Sequence, residues 1–132
     1  MKATELKLDY TVSTSKSFDD AVAAVEAKAA EAGFRVLHVH DVSATLASKG
    51  FEREPFKIVE ICQAGAAHEA LQKDPKVGLM MPCKITVHTK DGQTILSALR
   101  PSLLAEFFPG AGLDSLAQRI DAQVVGIVEA AR

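Results

Sequence analysis

Leu6, Leu8, Tyr10 and Val12 alternate with Lys7, Asp9 and Thr11, a period of two that predicts a half-buried first strand. The period then changes. Phe18, Val22, Val25, Ala29 and Ala32 recur at helical spacing, with Asp19, Glu26 and Glu31 off that stripe. Ser17 with Asp20 three residues on makes a shorter-armed capping box, and Gly33 stands where a left-handed helix cap belongs. The spacing predicts a helix over residues 17–32.

Beyond it, Arg35–His40, Phe56–Cys62, Lys84–Thr89 and Thr94–Leu99 read as four more strands. Lys90-Asp91-Gly92-Gln93 is a hairpin signal that joins the last two. Val42–Leu46, Ala66–Lys73 and Leu103–Phe108 read as short helical pieces, the second closed by Asp74-Pro75. Leu113, Leu116, Ile120, Val124, Ile127 and Ala131 mark a long amphipathic helix at the C-terminal end. The order β-α-β-β-α-β-β-α, with short links between consecutive strands, predicts an α+β fold. It is an antiparallel sheet of about five strands with the two main helices on one face. Neither repeats nor linker-like composition break residues 1–132 into more than one domain.

Composition narrows the function classes. The chain has 132 residues, 48% hydrophobic and 24% charged, enough to bury a core without covalent staples. A formal net charge of -2 and the lack of tryptophan argue against nucleic acid as a partner, which needs a basic, base-stacking face. No run approaches the roughly 18 apolar residues of a membrane span, so no membrane partner is expected. The Met1–Glu5 start lacks a secretory core, and two cysteines are too few for a disulfide framework. The expected address is the cytoplasm.

The chemistry worth weighing sits in Cys62 and Cys83, at the end of the third strand and the opening of the fourth. If those strands are antiparallel, both thiols come to one edge of the sheet, at about the cross-strand spacing a disulfide tolerates. A parallel crossover would put them at opposite ends. Two readings stand side by side: packed core thiols, which behave as small hydrophobes, or a ligand, redox or sulfur-carrying pair. His68 follows Cys62 on the short helix, either tuning a thiolate or simply lying on the surface. His38 and His40 share a face of their strand, and Glu60 shares one with Cys62. His38, His40, Glu60 and a thiol on one wall form a donor set suited to zinc or copper. His88 falls on the face opposite Cys83. Dinucleotide and phosphate-loop glycine patterns are missing, as is a nucleophile elbow, so no cofactor and no enzyme class is assigned.

Several pieces between Gly33 and Pro101, taken in order, carry a family resemblance. They include Gly33-Phe34-Arg35-Val36, Asp41–Leu46, Lys49-Gly50, Phe56–Cys62, Asp74-Pro75, Pro82-Cys83-Lys84-Ile85 and Ala98-Leu99-Arg100-Pro101. This stretch, about half the chain, resembles the domain-of-unknown-function 302 family. The family pattern commonly reads Asn-Pro where this chain has Gln63-Ala64. The resemblance implies an antiparallel sheet related to the TATA-binding-protein type, and a homodimer. It lends no biochemical activity. The apolar Leu103-Leu104 and Phe107-Phe108 are the segment expected to meet a twofold partner. Two functions result. One is a homodimeric thiol-based module for a small ligand, sulfur or soft metal. The other is a structural or interaction dimer without chemistry.

Overall fold

Hydrogen-bond pairing joins five strands in the order β1-β5-β4-β3-β2, every neighbouring pair antiparallel. They are β1 (Asp9–Thr14), β2 (Arg35–Asp41), β3 (Phe56–Cys62), β4 (Cys83–Lys90) and β5 (Gln93–Leu99). The structure is a computed structural model and describes residues 7–132; Leu6, assigned above to the first strand, lies outside the described residues. Helices α1 (Phe18–Glu31), α2 (Val42–Ala47), α3 (Ala64–Lys73), α4 (Leu103–Phe107) and α5 (Asp114–Ala131) connect and cover the strands.

The expected antiparallel α+β fold is the one observed. Its first helix is fixed at both ends. Ser17 Oγ accepts from the Asp20 N–H at 3.2 Å, satisfying one donor that the first turn leaves free. At the other end Gly33 adopts φ +85°. There the Gly33 N–H donates to Ala30 O and the Phe34 N–H to Ala29 O. This double closure is a Schellman cap, and it turns Phe34 into the core, where only 4% of it is exposed.

One sheet face carries Val59, Ile61, Ile85, Val87, Leu96 and Ala98, all buried. Val25 and Ala29 of α1, with Leu116, Val124 and Ile127 of α5, cover it. The opposite face carries Phe56, Ile58, Glu60, Thr86, His88, Ile95 and Ser97, and neither long helix reaches it. Asp91 (φ 52°) and Gly92 (φ 82°) form the β4–β5 turn. Two consecutive positive φ values match the right-handed twist of the paired strands.

Three details depart from the sequence reading. A 3-10 turn, Pro75–Met80, follows α3 where only a proline stop was expected. Strand β2 has a bulge, with Val36 paired to Ile61 and His38 to Glu60, so Leu37 is the extra residue. The third concerns the apolar segment assigned to a partner. Leu103 is buried, and Leu104 and Phe108 pack on the core, leaving Phe107 alone exposed at 52%. Most of that segment is occupied within its own chain.

Arg100, next to the end of β5, locks the sheet to α5. Its Nη2 donates to Asp121 Oδ2 at 2.6 Å and its Nε to Oδ1 at 3.2 Å. The Ser102 N–H adds a third bond to Asp121 at 3.1 Å. Burial pushes the Asp121 carboxyl up, but the Arg100 and Ser102 hydrogen bonds outweigh it and leave the group below its ordinary value.

Candidate functional site

Strand β3 runs out at Cys62, and the chain turns at once into α3. Gln63 makes the turn possible: its Oε1 accepts from the Ala66 N–H at 2.5 Å. An amide thus does the capping work for which asparagine is the commoner choice, and the Gln63-Ala64 departure leaves the helix start satisfied. Helix α3 turns Ala66, Ala67 and Ala70 toward the sheet end, and their small side chains leave room there. The chain returns through the 3-10 turn to Met81, Pro82 and Cys83, where β4 begins.

Together these segments enclose a cavity of about 50 Å³. Phe34, Ile61, Leu104, Leu116 and Ile120 supply its apolar walls; Cys62, Cys83 and Met81 supply three sulfur-bearing side chains. A water needs roughly 10–15 Å³ of such space. The cavity therefore holds an ion or a ligand of a few atoms, and no nucleotide.

The two cysteines, both free and half-buried, are brought together as the antiparallel pairing requires. Cys83 lies opposite Ile61, while Cys62 is one residue farther on and opposite Arg35. Strict alternation would send the two thiols to different faces. At the sheet's end both nevertheless line the same cavity. Burial pushes the Cys83 thiol up to about 11, and negative charge on Cys62 adds to the rise, against a smaller opposing effect of Lys84. Cys83 is thus a neutral thiol at pH 7 and a poor nucleophile.

His68 does not join the thiols. It is exposed on α3, whereas Ala67 and Ala70 line the cavity. The other proposed set gathers on the sheet face opposite α1 and α5. His38 pairs with Glu60 across the β2–β3 ladder, and the His38 and His40 rings meet edge to face at 4.4 Å. His40 Nε2 lies 2.8 Å from Glu60 Oε1, so the carboxylate already has an imidazole partner. Among the described residues no group of three or more His, Cys, Asp or Glu side chains converges as metal ligands. His88 is on the face opposite Cys83, as expected, with its ring stacked on Phe56 at 5.4 Å. Burial, reinforced by the Arg53 charge, lowers its basicity.

Sequence reasoning missed Met81, Phe34 and Leu104 as cavity residues. For Met81 the signal was present, in a methionine two residues before Cys83. Phe34 and Leu104 depend on helix packing, which no local pattern encodes.

The model of the family described as domain of unknown function DUF302 matches residues 10–131. The chain belongs to the DUF302 family. A crystal structure of an uncharacterized conserved DUF302 protein from Bacillus stearothermophilus is similar at 26% identity and a TM-score of 0.90, covering 96% of this chain and 100% of that one. No curated protein matches. The DUF302 resemblance seen in the sequence thus extends over nearly the whole fold. Two of its motif pieces now have structural roles: Gly33-Phe34 closes α1 and walls the cavity, and Arg100 ties β5 to Asp121. Among the described residues no helix is long and apolar enough to cross a membrane.

Proposed function

We propose that this DUF302 protein is a small binding module whose site is the cavity at the end of β3 and β4. One observation supports it above the others: both cysteines open into a single apolar cavity. A thiol wall in a half-open apolar pocket suits a small ligand, a sulfur species or a soft metal, and free thiols suit a reducing compartment such as the cytoplasm. Cys62 is the thiol that meets the ligand, and Cys83 is its neutral neighbour.

Native alkylation tests the reading. Iodoacetamide at pH 7.5, followed by peptide mass analysis, is expected to modify Cys62 and spare Cys83. The cavity-filling variant Ala67→Leu is expected to slow that modification while the protein stays folded. If both thiols resist the reagent until the chain unfolds, the cysteines are packing and the module reading is lost.

A second reading, a homodimer built for interaction, is supported by the sheet face that α1 and α5 leave uncovered. Phe56, Ile58 and Ile95 are only half-buried there, where neither long helix packs and the short α2 meets the β3 end. Light scattering is expected to give the mass of two chains, and Ile58→Asp the mass of one. A monomer at micromolar concentration contradicts the dimer.

A further inference from the structure

We infer that the open groove between α2 and the sheet binds a medium-length aliphatic monocarboxylate, with its anion on Lys84. The inference goes beyond the binding-module reading, since the groove shares no residue with the cavity at the end of β3 and β4.

Three strands and one short helix build the groove. His40 on β2 pairs with Ile58 on β3, and Lys84 on β4 pairs with Glu60, the next β3 residue on the same face as Ile58. Ile58 is therefore the floor, with His40 and Lys84 one strand to either side, about 5 Å per strand. Val42, Thr45 and Leu46 of α2 form the remaining wall. That wall is fixed. Asp41 Oδ1 accepts from the Ala44 N–H at 2.9 Å, and Ser43 Oγ accepts from the Phe56 N–H at 3.1 Å. A ligand meets a formed site, so little of the ordering cost of binding remains.

Size and polarity select the ligand. The groove holds about 320 Å³, room for on the order of ten non-hydrogen atoms at about 30 Å³ each. Val42, Leu46 and Ile58 offer aliphatic surface, which favours an apolar body. Of the polar side chains, two are already engaged. Thr45 Oγ1 donates to Asp41 O at 3.1 Å, and His40 Nε2 lies 2.8 Å from Glu60 Oε1. Lys84 is exposed, and among the described residues its Nζ makes one long bond, to Pro82 O at 3.4 Å, and no ion pair. An ammonium carries three donors, so Lys84 has donors left for an anion at the edge of the groove. The Glu60 carboxylate is opposite Lys84 in register but drawn to His40, and it adds a negative charge nearby. A second charge on the ligand would meet that repulsion. This favours a monocarboxylate over a phosphate ester.

The test is a calorimetric titration of the full chain with sodium octanoate, which matches that size, alongside methyl NMR spectra. One octanoate per chain is expected, with the Val42, Leu46 and Ile58 methyl signals shifting as it binds. Lys84→Gln, at an exposed position, is expected to keep the parent circular dichroism and to weaken octanoate on the order of tenfold, the loss of one hydrogen bond to a charged group. The uncharged n-octanol and the more highly charged octyl phosphate are each expected to bind more weakly than octanoate by a similar factor. Ala67→Leu, which fills the other cavity, is expected to leave octanoate affinity unchanged. Absent octanoate binding overturns the assignment. So does equal affinity for n-octanol or octyl phosphate, or an unchanged affinity in Lys84→Gln. Loss of binding in Ala67→Leu would put the ligand in the cavity at the end of β3 and β4, which overturns the groove and leaves the binding-module reading standing.

Discussion

Cys83 faces Ile61 across the β3–β4 ladder, and Cys62 lies one residue beyond that pair. The offset decides how the two thiols differ. Cys83 follows Ile61 toward the helix-covered side and is half-buried against apolar walls, whereas Cys62 sits at the last position of its strand.

The first prediction follows from Cys83. Its pKa is raised from an ordinary 9.0 to about 11. Between these values the unfolded chain sheds the proton and the folded chain keeps it, so the folded state binds more protons and stability falls as pH rises. The loss over that window is on the order of 2 kcal/mol. Urea unfolding at a series of pH values is expected to show this decline, and Cys83→Ala to flatten it. An unchanged slope in the variant would assign the decline to other groups.

Asp121 titrates with the opposite sign. Its carboxyl is held below the ordinary 3.8, so its contribution is full above that value and is lost as pH falls through the folded pKa. Asp121→Asn leaves the Arg100 guanidinium without its charge partner, and is expected to cost about 3 kcal/mol. Denaturant midpoints of parent and variant at pH 7 measure this. A cost under 1 kcal/mol would mean that Arg100 finds another partner.

The β4–β5 turn gives a third expectation. Gly92 sits at φ +82° with open space around its Cα, so Gly92→Ala is penalised by backbone strain alone, about 1 kcal/mol. Gly126, inside α5 and equally unobstructed, is expected to respond the other way. Gly126→Ala gains up to about 1 kcal/mol of helix propensity. Thermal unfolding of the two variants should move in opposite directions, and a shared direction would contradict the turn assignment.

Much of the fold was legible in the sequence because its signals are local and agree with one another. Ser17 and Gly33 bracket α1, Asp91-Gly92 sets the hairpin, and the apolar periods of α1 and α5 match the faces they bury. The proximity of Cys62 and Cys83 followed from strand order once the pairing was antiparallel. What did not follow was register. No residue pattern announces that Cys83 pairs with Ile61, or that a bulge at Leu37 resets β2. His68 was placed near the thiols by its distance along the chain. Rotation about α3 instead gives Ala67 and Ala70 to the cavity and His68 to solvent. Leu104 reached the site through the packing of α4, a long-range event that a 3.6-residue period does not report.

The most direct measurement of the central claim, that both thiols open into one cavity, uses a short bifunctional thiol reagent on the native protein near pH 9. The account predicts one reagent bridging Cys62 and Cys83 within a single chain, identified as a linked peptide pair at unchanged chain mass plus one linker. Cys62→Ser and Cys83→Ser are each expected to abolish the bridge. Two separate single-ended adducts, or links only between chains, would contradict it.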